Sequence, residues 1–173
     1  MLNKVGETPF IKQEQLDEII KLHQNYRSGK PGGKRCILQF KVLDKLDFRS
    51  SDLSGADFAG SSFIESNLMR CNFDHSNFYA CNMSEANLSG ASFKRADFRG
   101  AHISNADVSD ADFTSSDMRE GRLMKGARGQ MTNQKHFGTE EDIVKTSFKG
   151  SQLKNSNFNG AKALSTDFSG ADM

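Results

Sequence analysis

An apolar residue stands at every fifth position from Leu38 to Leu123, without an exception. The series runs Leu38, Leu43, Phe48, Leu53, Phe58, Phe63, Leu68, Phe73, Phe78, Met83, Leu88, Phe93, Phe98, Ile103, Val108, Phe113, Met118 and Leu123. Two residues before each of these positions the side chain is small, except at Lys41 and Leu46. A strict short repeat is typical of a solenoid, in which each repeat packs only on its neighbours.

A period of five excludes the two regular secondary structures. A helix turns about 100° per residue, so a step of five would spread the apolar residues around the whole cylinder. In a straight strand the same step would move the apolar residue from one face to the other. The pattern fits a short extended piece followed by a corner, with the small and the large residue both pointing inward because they are two positions apart. The outward residues, such as Asp52, Ser54 and Gly55, are types that favour turns.

Individual repeats resemble a known family. The segments Ser-Asp-Leu-Ser-Gly (51–55), Ala-Asn-Leu-Ser-Gly (86–90) and Ala-Asp-Phe-Arg-Gly (96–100) are similar to the repeats of pentapeptide-repeat proteins, whose consensus is close to Ala-Asp/Asn-Leu/Phe-X-X. The resemblance covers residues 36–123 and 146–173. It implies an all-β fold, a right-handed β-helix of square cross-section with four pentapeptides per coil. Stacking by twenty then leaves one directly stacked acidic pair, Asp97 and Asp117, each with an arginine two residues on.

Residues 1–35 are predicted to form an N-terminal helix and turn that cap the solenoid. Leu16, Ile19, Ile20 and His23 form one stripe at helical spacing within 13–28, and Gly29 is suited to end the helix. A β-helix leaves unpaired backbone groups at its first coil, so a helix with one apolar face is expected to cover that coil.

The pentapeptide-repeat β-helix is assigned to residues 36–123, an insertion loop to 124–142, and a continuation of the β-helix to 143–173. Arg128, Asn133 and Gly138 occupy the inward positions of the insertion, which therefore cannot fill the core. Ile143 is a candidate for the first inward residue after it. The insertion either carries a binding function or is merely tolerated. The uncapped last coil leaves three alternatives: an end-to-end homodimer, part of a longer protein, or a frayed coil.

The charge and the cysteines limit the class of protein. The chain has 23 basic and 22 acidic residues and a net charge of +1, which argues against a nucleic-acid binder and against a strongly acidic surface. Cys36, Cys71 and Cys81 fall at the small inward position, so we expect buried free thiols in a reducing compartment. Neither a long apolar stretch nor a signal pattern is present, which predicts a soluble, cytoplasmic protein without membrane contact.

No residue pattern predicts catalysis, a cofactor or a metal site, because the four histidines are scattered and the serines belong to the repeat. One cluster of basic residues stands out from the otherwise mixed surface charge and is the candidate surface for a protein partner. It consists of Lys94, Arg95, Arg99, Arg119, Arg122, Lys125, Arg128, Lys135 and His136. Asp97, Asp117 and Glu120 lie among these residues, so the alternatives are an ordinary mixed-charge surface and a docking patch for an acidic partner.

The leading functional hypothesis is a non-catalytic protein-binding or scaffold module built on a rigid β-helix. The family resemblance implies an alternative, a DNA-mimicking protein that binds gyrase or another topoisomerase and inhibits it or protects it from quinolones. That role implies an acidic surface, which the net charge of +1 disfavours. A further alternative is the N-terminal module of a longer protein.

Overall fold

The computed structural model describes residues 9–122 and 143–173. Within these ranges one helix, α1, spans Gln13–Arg27, and two short strands, β1 and β2, span Gly121–Arg122 and Ile143–Val144. Most pairing elsewhere consists of isolated parallel bridges between residues 20 apart, from Ile37 with Asp57 to Asp97 with Asp117. Each coil therefore takes 20 residues, or four pentapeptides. The described residues form a β-helix solenoid with an N-terminal helix.

Each pentapeptide contributes one bridge and one corner. Asn72 shows the pattern: its N–H donates to the carbonyl of Ser51 in the preceding coil at 2.9 Å, and its carbonyl accepts the N–H of Leu53 at 2.8 Å. Its side-chain Oδ1 accepts the N–H of Asp74 at 3.0 Å, which stabilises the turn. The corner residue His75 then takes a φ of 61°. The outward Asp and Asn residues thus hold the corners.

The small inward position forms a second hydrogen-bond system inside the coil. The Ser66 hydroxyl donates to the carbonyl of Leu43 at 2.6 Å, and the Cys71 thiol donates to the carbonyl of Phe48 at 2.9 Å. Cys36, Cys71 and Cys81 are buried and free, as predicted. Burial raises the pKa of Cys36 and of Cys71 to about 12, so these thiols are inert as nucleophiles.

The core is a column of stacked side chains, as the fifth-residue pattern predicts. All predicted inward residues from Leu38 to Met118 are buried. Phe58, Phe78 and Phe98 stack in one column with ring centroids 5.2 and 5.1 Å apart. Phe73 and Phe93 begin a second column at 5.4 Å, which meets the first edge to face. Burial of these rings is the main favourable contribution to stability.

The N-terminal segment covers the first coil by contacts that the sequence pattern did not reveal. Leu16 is fully buried in the core cluster, and Ile19 and Ile20 pack against it, as the helical stripe predicts. In addition, residues 9–11 add a parallel bridge, Phe10 with Val42. The Gln13 side-chain amide donates to the carbonyl of Asp47 and accepts its N–H, both at 2.9 Å. This amide therefore replaces the peptide group that a preceding coil would provide.

The solenoid continues across the insertion with a shifted register. Ser147 pairs with His102 and takes the ladder position that would fall to Arg122 in an uninterrupted repeat. The expectation that Ile143 is already in register is wrong: Ile143 is 45% exposed and pairs antiparallel with Arg122. Thr146 fills the small inward position, so Phe148 is the first inward residue. The predicted insertion loop 124–142 and Leu123 lie outside the described residues.

The last coil is more exposed than the others. Phe158 and Phe168 are only partly buried, whereas Phe148 is fully buried. Leu164 and Met173 are 76% and 81% exposed.

Across the two described ranges, no helix has the length and apolar character that crossing a bilayer requires.

Candidate docking surface

One wall of the solenoid carries a column of outward side chains. Up to the insertion, each of them directly follows an inward residue of the series Leu38, Phe58, Phe78, Phe98 and Met118. The column runs Gln39, Ala59, Tyr79, Arg99, Arg119 and, beyond the insertion, Leu164. Bridged coils are stacked at about the strand spacing of 4.8 Å. Residues separated by 20 or 45 positions in the sequence therefore become direct neighbours on this wall.

Arg99 and Arg119 fold back onto the aspartate two positions earlier. Arg99 Nε lies 2.9 Å from Asp97 Oδ1 and Nη2 lies 2.6 Å from Oδ2, and Arg119 contacts Asp117 at the same two distances. The partners flank one inward side chain and share a face, so the Asp-x-Arg spacing gives a bidentate pair. The Arg119 hydrogen bond lowers the pKa of Asp117. Each of the two stacked carboxylates is thus neutralised within its own coil.

A notch of about 350 Å³ opens on this wall. It is lined by Tyr79, Arg99, Arg119, Glu120, Gly121, Arg122, Leu164 and Ser165, and we call it the arginine notch. The Arg99 guanidinium carbon lies 5.3 Å from the centroid of the Tyr79 ring, within the range of a cation–π contact. The notch therefore combines guanidinium groups, one carboxylate and an exposed aliphatic side chain.

The inserted segment leaves the solenoid at the edge of the notch. β1 and β2 pair antiparallel there, with Gly121 opposite Val144 and Arg122 opposite Ile143. The Tyr79 hydroxyl accepts the N–H of Arg122 at 2.6 Å and donates to its carbonyl. A Cβ atom on Gly121 would lie 3.0 Å from the carbonyl oxygen of Arg99, so only glycine fits without a shift of the backbone. We call this paired element the insertion root.

Thr146 fixes the other side of the insertion root. Its hydroxyl oxygen lies 2.9 Å from the carbonyl oxygens of both Phe98 and Arg119, and it accepts the N–H of Gly100 at 2.9 Å. Because Thr146 is fully buried, these contacts hold the returning chain tightly against the coil. The base of the insertion is therefore a fixed part of the wall.

The structure brings together three of the residues predicted to form a partner surface, Arg99, Arg119 and Arg122. Lys94 and Arg95 are exposed but do not line the notch. Lys94 instead forms an ion pair with Asp112 at 3.3 Å. The other predicted members lie outside the described residues: Lys125, Arg128, Lys135 and His136.

Sequence reasoning missed Tyr79 and Leu164 as members of this surface. Tyr79 precedes Arg99 by one coil, so stacking by twenty would have placed it in the same column. Leu164 could be found only with the register across the insertion, which pairs Asp117 with Lys162. The position of Tyr79 therefore had a signal in the sequence, whereas that of Leu164 had none.

The described residues contain no group of three His, Cys, Asp or Glu side chains that could hold a metal ion. Three polar side chains of the notch have hydrogen-bond partners: Arg99 pairs with Asp97, Arg119 pairs with Asp117, and the Tyr79 hydroxyl pairs with the backbone of Arg122.

Stacked 20-residue coils with an inward apolar column define a β-solenoid repeat protein. The chain belongs to the pentapeptide-repeat family. Residues 51–126 match the family described as "Pentapeptide repeat region" and residues 144–173 match "Pentapeptide repeats (8 copies)", together more than half of the sequence. No protein of curated function matches this chain significantly.

Several solved structures are similar to this chain. A pentapeptide repeat protein from the cyanobacterium Cyanothece 51142 is 16% identical over 79% of this chain and 83% of that chain, with a TM-score of 0.48. A pentapeptide repeat protein from Nostoc PCC 7120 is 21% identical over 56% and 76%, with a TM-score of 0.49. QnrB1, a plasmid-mediated fluoroquinolone resistance protein, is 21% identical over 79% and 65%, with a TM-score of 0.36.

Proposed function

We propose that this protein is a non-catalytic protein-binding module that presents the arginine notch and the insertion to a protein partner. We take its coil to be right-handed and square in section, as the family resemblance implies. The observation that carries the proposal is the position of the insertion root, which emerges directly beside the notch. Segments that project from a rigid scaffold are frequent sites of binding, and the notch would extend the contact area.

The exposed Arg122 beside Leu164 favours a partner with an acidic and an apolar group side by side. Arg122 is exposed, and Leu164 offers aliphatic surface at the same site. Lys94 and Arg95 lie on the neighbouring wall. The sequence of the insertion adds further basic residues, Lys125, Arg128, Lys135 and His136. Arginine is enriched at protein interfaces because its planar group can pair and stack at once.

A charge reversal in the notch tests this proposal. Arg119→Glu should weaken capture of a specific partner, whereas Arg49→Glu should not. Arg49 is the matched control, because it forms the same bidentate pair with Asp47 on another wall, at 3.0 and 2.7 Å. The measurement is the affinity of the identified partner for wild type and both variants. Equal loss of affinity in both variants would contradict a docking surface at the notch.

The DNA-mimicking alternative requires an acidic face along the solenoid. The column with Asp57, Asp97 and Asp117 is the best candidate, because Asp97 and Asp117 stack directly. Their bidentate arginines remove that charge, so we place this function second. A gyrase supercoiling assay with and without a quinolone separates the two functions, and we expect neither inhibition nor protection. Either effect at low micromolar protein would favour the DNA-mimicking function.

We further propose that copies of this chain associate end to end through the last coil. A recess of about 380 Å³ opens there, lined mainly by apolar side chains. Met173→Asp should lower self-association in sedimentation equilibrium, while Ser169→Asp serves as an exposed control. A purely monomeric wild-type protein at tens of micromolar would contradict this proposal.

The three buried free thiols support a reducing, cytoplasmic location.

A further inference from the structure

A buried histidine links the N-terminal helix to the first coil. His23 lies on α1 and is fully buried. Its Nε2 lies 3.1 Å from the carbonyl oxygen of Ser54, and its Nδ1 accepts the N–H of Cys36 at 2.9 Å. A carbonyl oxygen can only accept, so Nε2 carries the proton. Nδ1 is unprotonated, and its lone pair accepts the N–H of Cys36. The contacts require the neutral ring.

We propose that His23 is an acid-sensitive latch, and that its protonation releases the N-terminal segment from the first coil of the solenoid. A proton on Nδ1 turns the acceptor of the Cys36 N–H into a donor, so two donors then face each other. The hydrogen bond is lost, and the N–H of Cys36 stays buried without an acceptor.

The surroundings of His23 disfavour the charged ring. Burial lowers the pKa of His23 below its ordinary value of 6.5. Arg27 on α1 and Arg35 in the turn act in the same direction, whereas the Ser54 carbonyl and the Asp52 carboxylate on the first coil oppose it. The Tyr26 ring lies 5.9 Å from the imidazole and adds no charge. Burial and the two arginines together outweigh the two opposing groups, so the closed state binds the proton less readily than a free histidine.

The direction of the pH effect follows from this difference. The released state has an exposed histidine with an ordinary pKa and binds the proton more readily than the closed state. Closure is therefore fully favoured above pH 6.5 and is weakened as the pH falls below 6.5. The ratio of released to closed protein should rise by about tenfold per pH unit, until the pH reaches the lowered pKa of the closed state.

Release would uncover one edge of the solenoid. The groups that lose their partners include the N–H of Cys36, the carbonyl of Ser54 and both backbone groups of Asp47, which pair with His23 and Gln13 in the closed state. Such an edge can accept another strand. The latch therefore controls whether the first coil is available for contact, independently of the arginine notch.

Labelling of Cys36 reports release directly, because its thiol is 1% exposed in the closed state. The other two cysteines are replaced by serine, since Ser66 and Ser76 already make the same hydrogen bond as Cys71 and Cys81. The probe is 4,4′-dithiodipyridine, which reacts with thiols in acid. Rates are divided by those of the unfolded protein at each pH, which removes the intrinsic pH dependence of the reagent.

We expect the corrected rate to rise by about tenfold per pH unit below pH 6.5. His23→Gln should abolish this pH dependence. His75→Gln should retain it, because His75 is an exposed histidine at a corner of the solenoid. A corrected rate that is constant between pH 7.5 and 5, or one that rises equally in His23→Gln, would overturn the proposal.

A second measurement covers the case in which His23→Gln fails to close at any pH. Amide exchange of α1 in the otherwise unchanged protein, corrected for intrinsic exchange, should accelerate by the same factor as the labelling. NMR titration of the His23 ring should show the Nε2–H tautomer at neutral pH. An ordinary pKa of 6.5 with unchanged α1 protection would overturn the latch.

Discussion

The two ends of the solenoid are built from the same repeat and differ in how they are completed. At the first coil, residues 9–11, Gln13 and His23 pair with backbone groups of the open edge, and Leu16 closes the core. At the last described coil, Phe158 and Phe168 are partly exposed and Met173 is 81% exposed. The repeat therefore determines the coil, whereas residues outside the repeat determine how its ends behave.

The largest contrast should come from equivalent core substitutions in the middle and at the last coil. Phe98→Ala removes a fully buried ring stacked on Phe78 and should cost about 3–5 kcal/mol. Phe168→Ala should cost less than half of that, because the ring is partly solvated already. Urea unfolding followed by circular dichroism gives both values. Equal costs would show that the last coil is as well packed as the middle.

The next effect concerns the polar part of the N-terminal cap. Gln13→Ala leaves the N–H and the carbonyl of Asp47 without partners and should cost about 1–3 kcal/mol. Gln24→Ala, an exposed residue of the same type on α1, is the matched control. Thermal unfolding of both variants measures the difference. If Gln13→Ala behaves like Gln24→Ala, the side-chain amide does not stabilise the edge.

The smallest effect comes from corners with a left-handed backbone. Gly55 in the first coil has a φ of 73°, and Gly170 in the last coil has a φ of 65°. A Cβ atom at Gly55 would meet nothing within 4 Å, so Gly55→Ala isolates the conformational cost, about 1 kcal/mol. Gly170→Ala should lower the global stability less, because the last coil can open separately. Equal losses in chemical denaturation would contradict this difference between the ends.

The regular part of the fold could be predicted from the sequence because one inward position repeats every five residues. Leu38 to Met118 followed that rule, and the stacking of Asp97 on Asp117 followed from the 20-residue coil. The pairing of Gln13 with Asp47 could not be predicted, because one side chain replaces a peptide group without any periodic signal. The exposure of Phe168 depends on the absence of a covering coil among the described residues rather than on its own position in the repeat.

The candidate surface was predictable only in part. Arg99 and Arg119 stood out because two of the three Asp-x-Arg segments lie 20 residues apart. The ion pairs of these arginines with Asp97 and Asp117 follow from the same spacing, because residues two apart on an extended backbone share a face. The insertion root depends on which residues return to the coil. Thr146 at the small inward position and Ser147 in the ladder proved to do so, rather than Ile143. Because Thr146 is polar, the pattern of apolar positions did not indicate that it returns to the core.

Residue-resolved amide hydrogen exchange at pH 7 tests the difference between the two ends most directly. The account predicts that the N–H groups of Val42 and Cys36, which pair with Pro9 and His23, exchange as slowly as those in the middle of the solenoid. The N–H groups of Thr166 and Ala171 in the last coil should exchange far faster, by local opening, when the measurement uses the Met173→Asp variant, in which the last coil is not associated. Equal protection at both ends, or faster exchange at Cys36 than at Ala171, would contradict it.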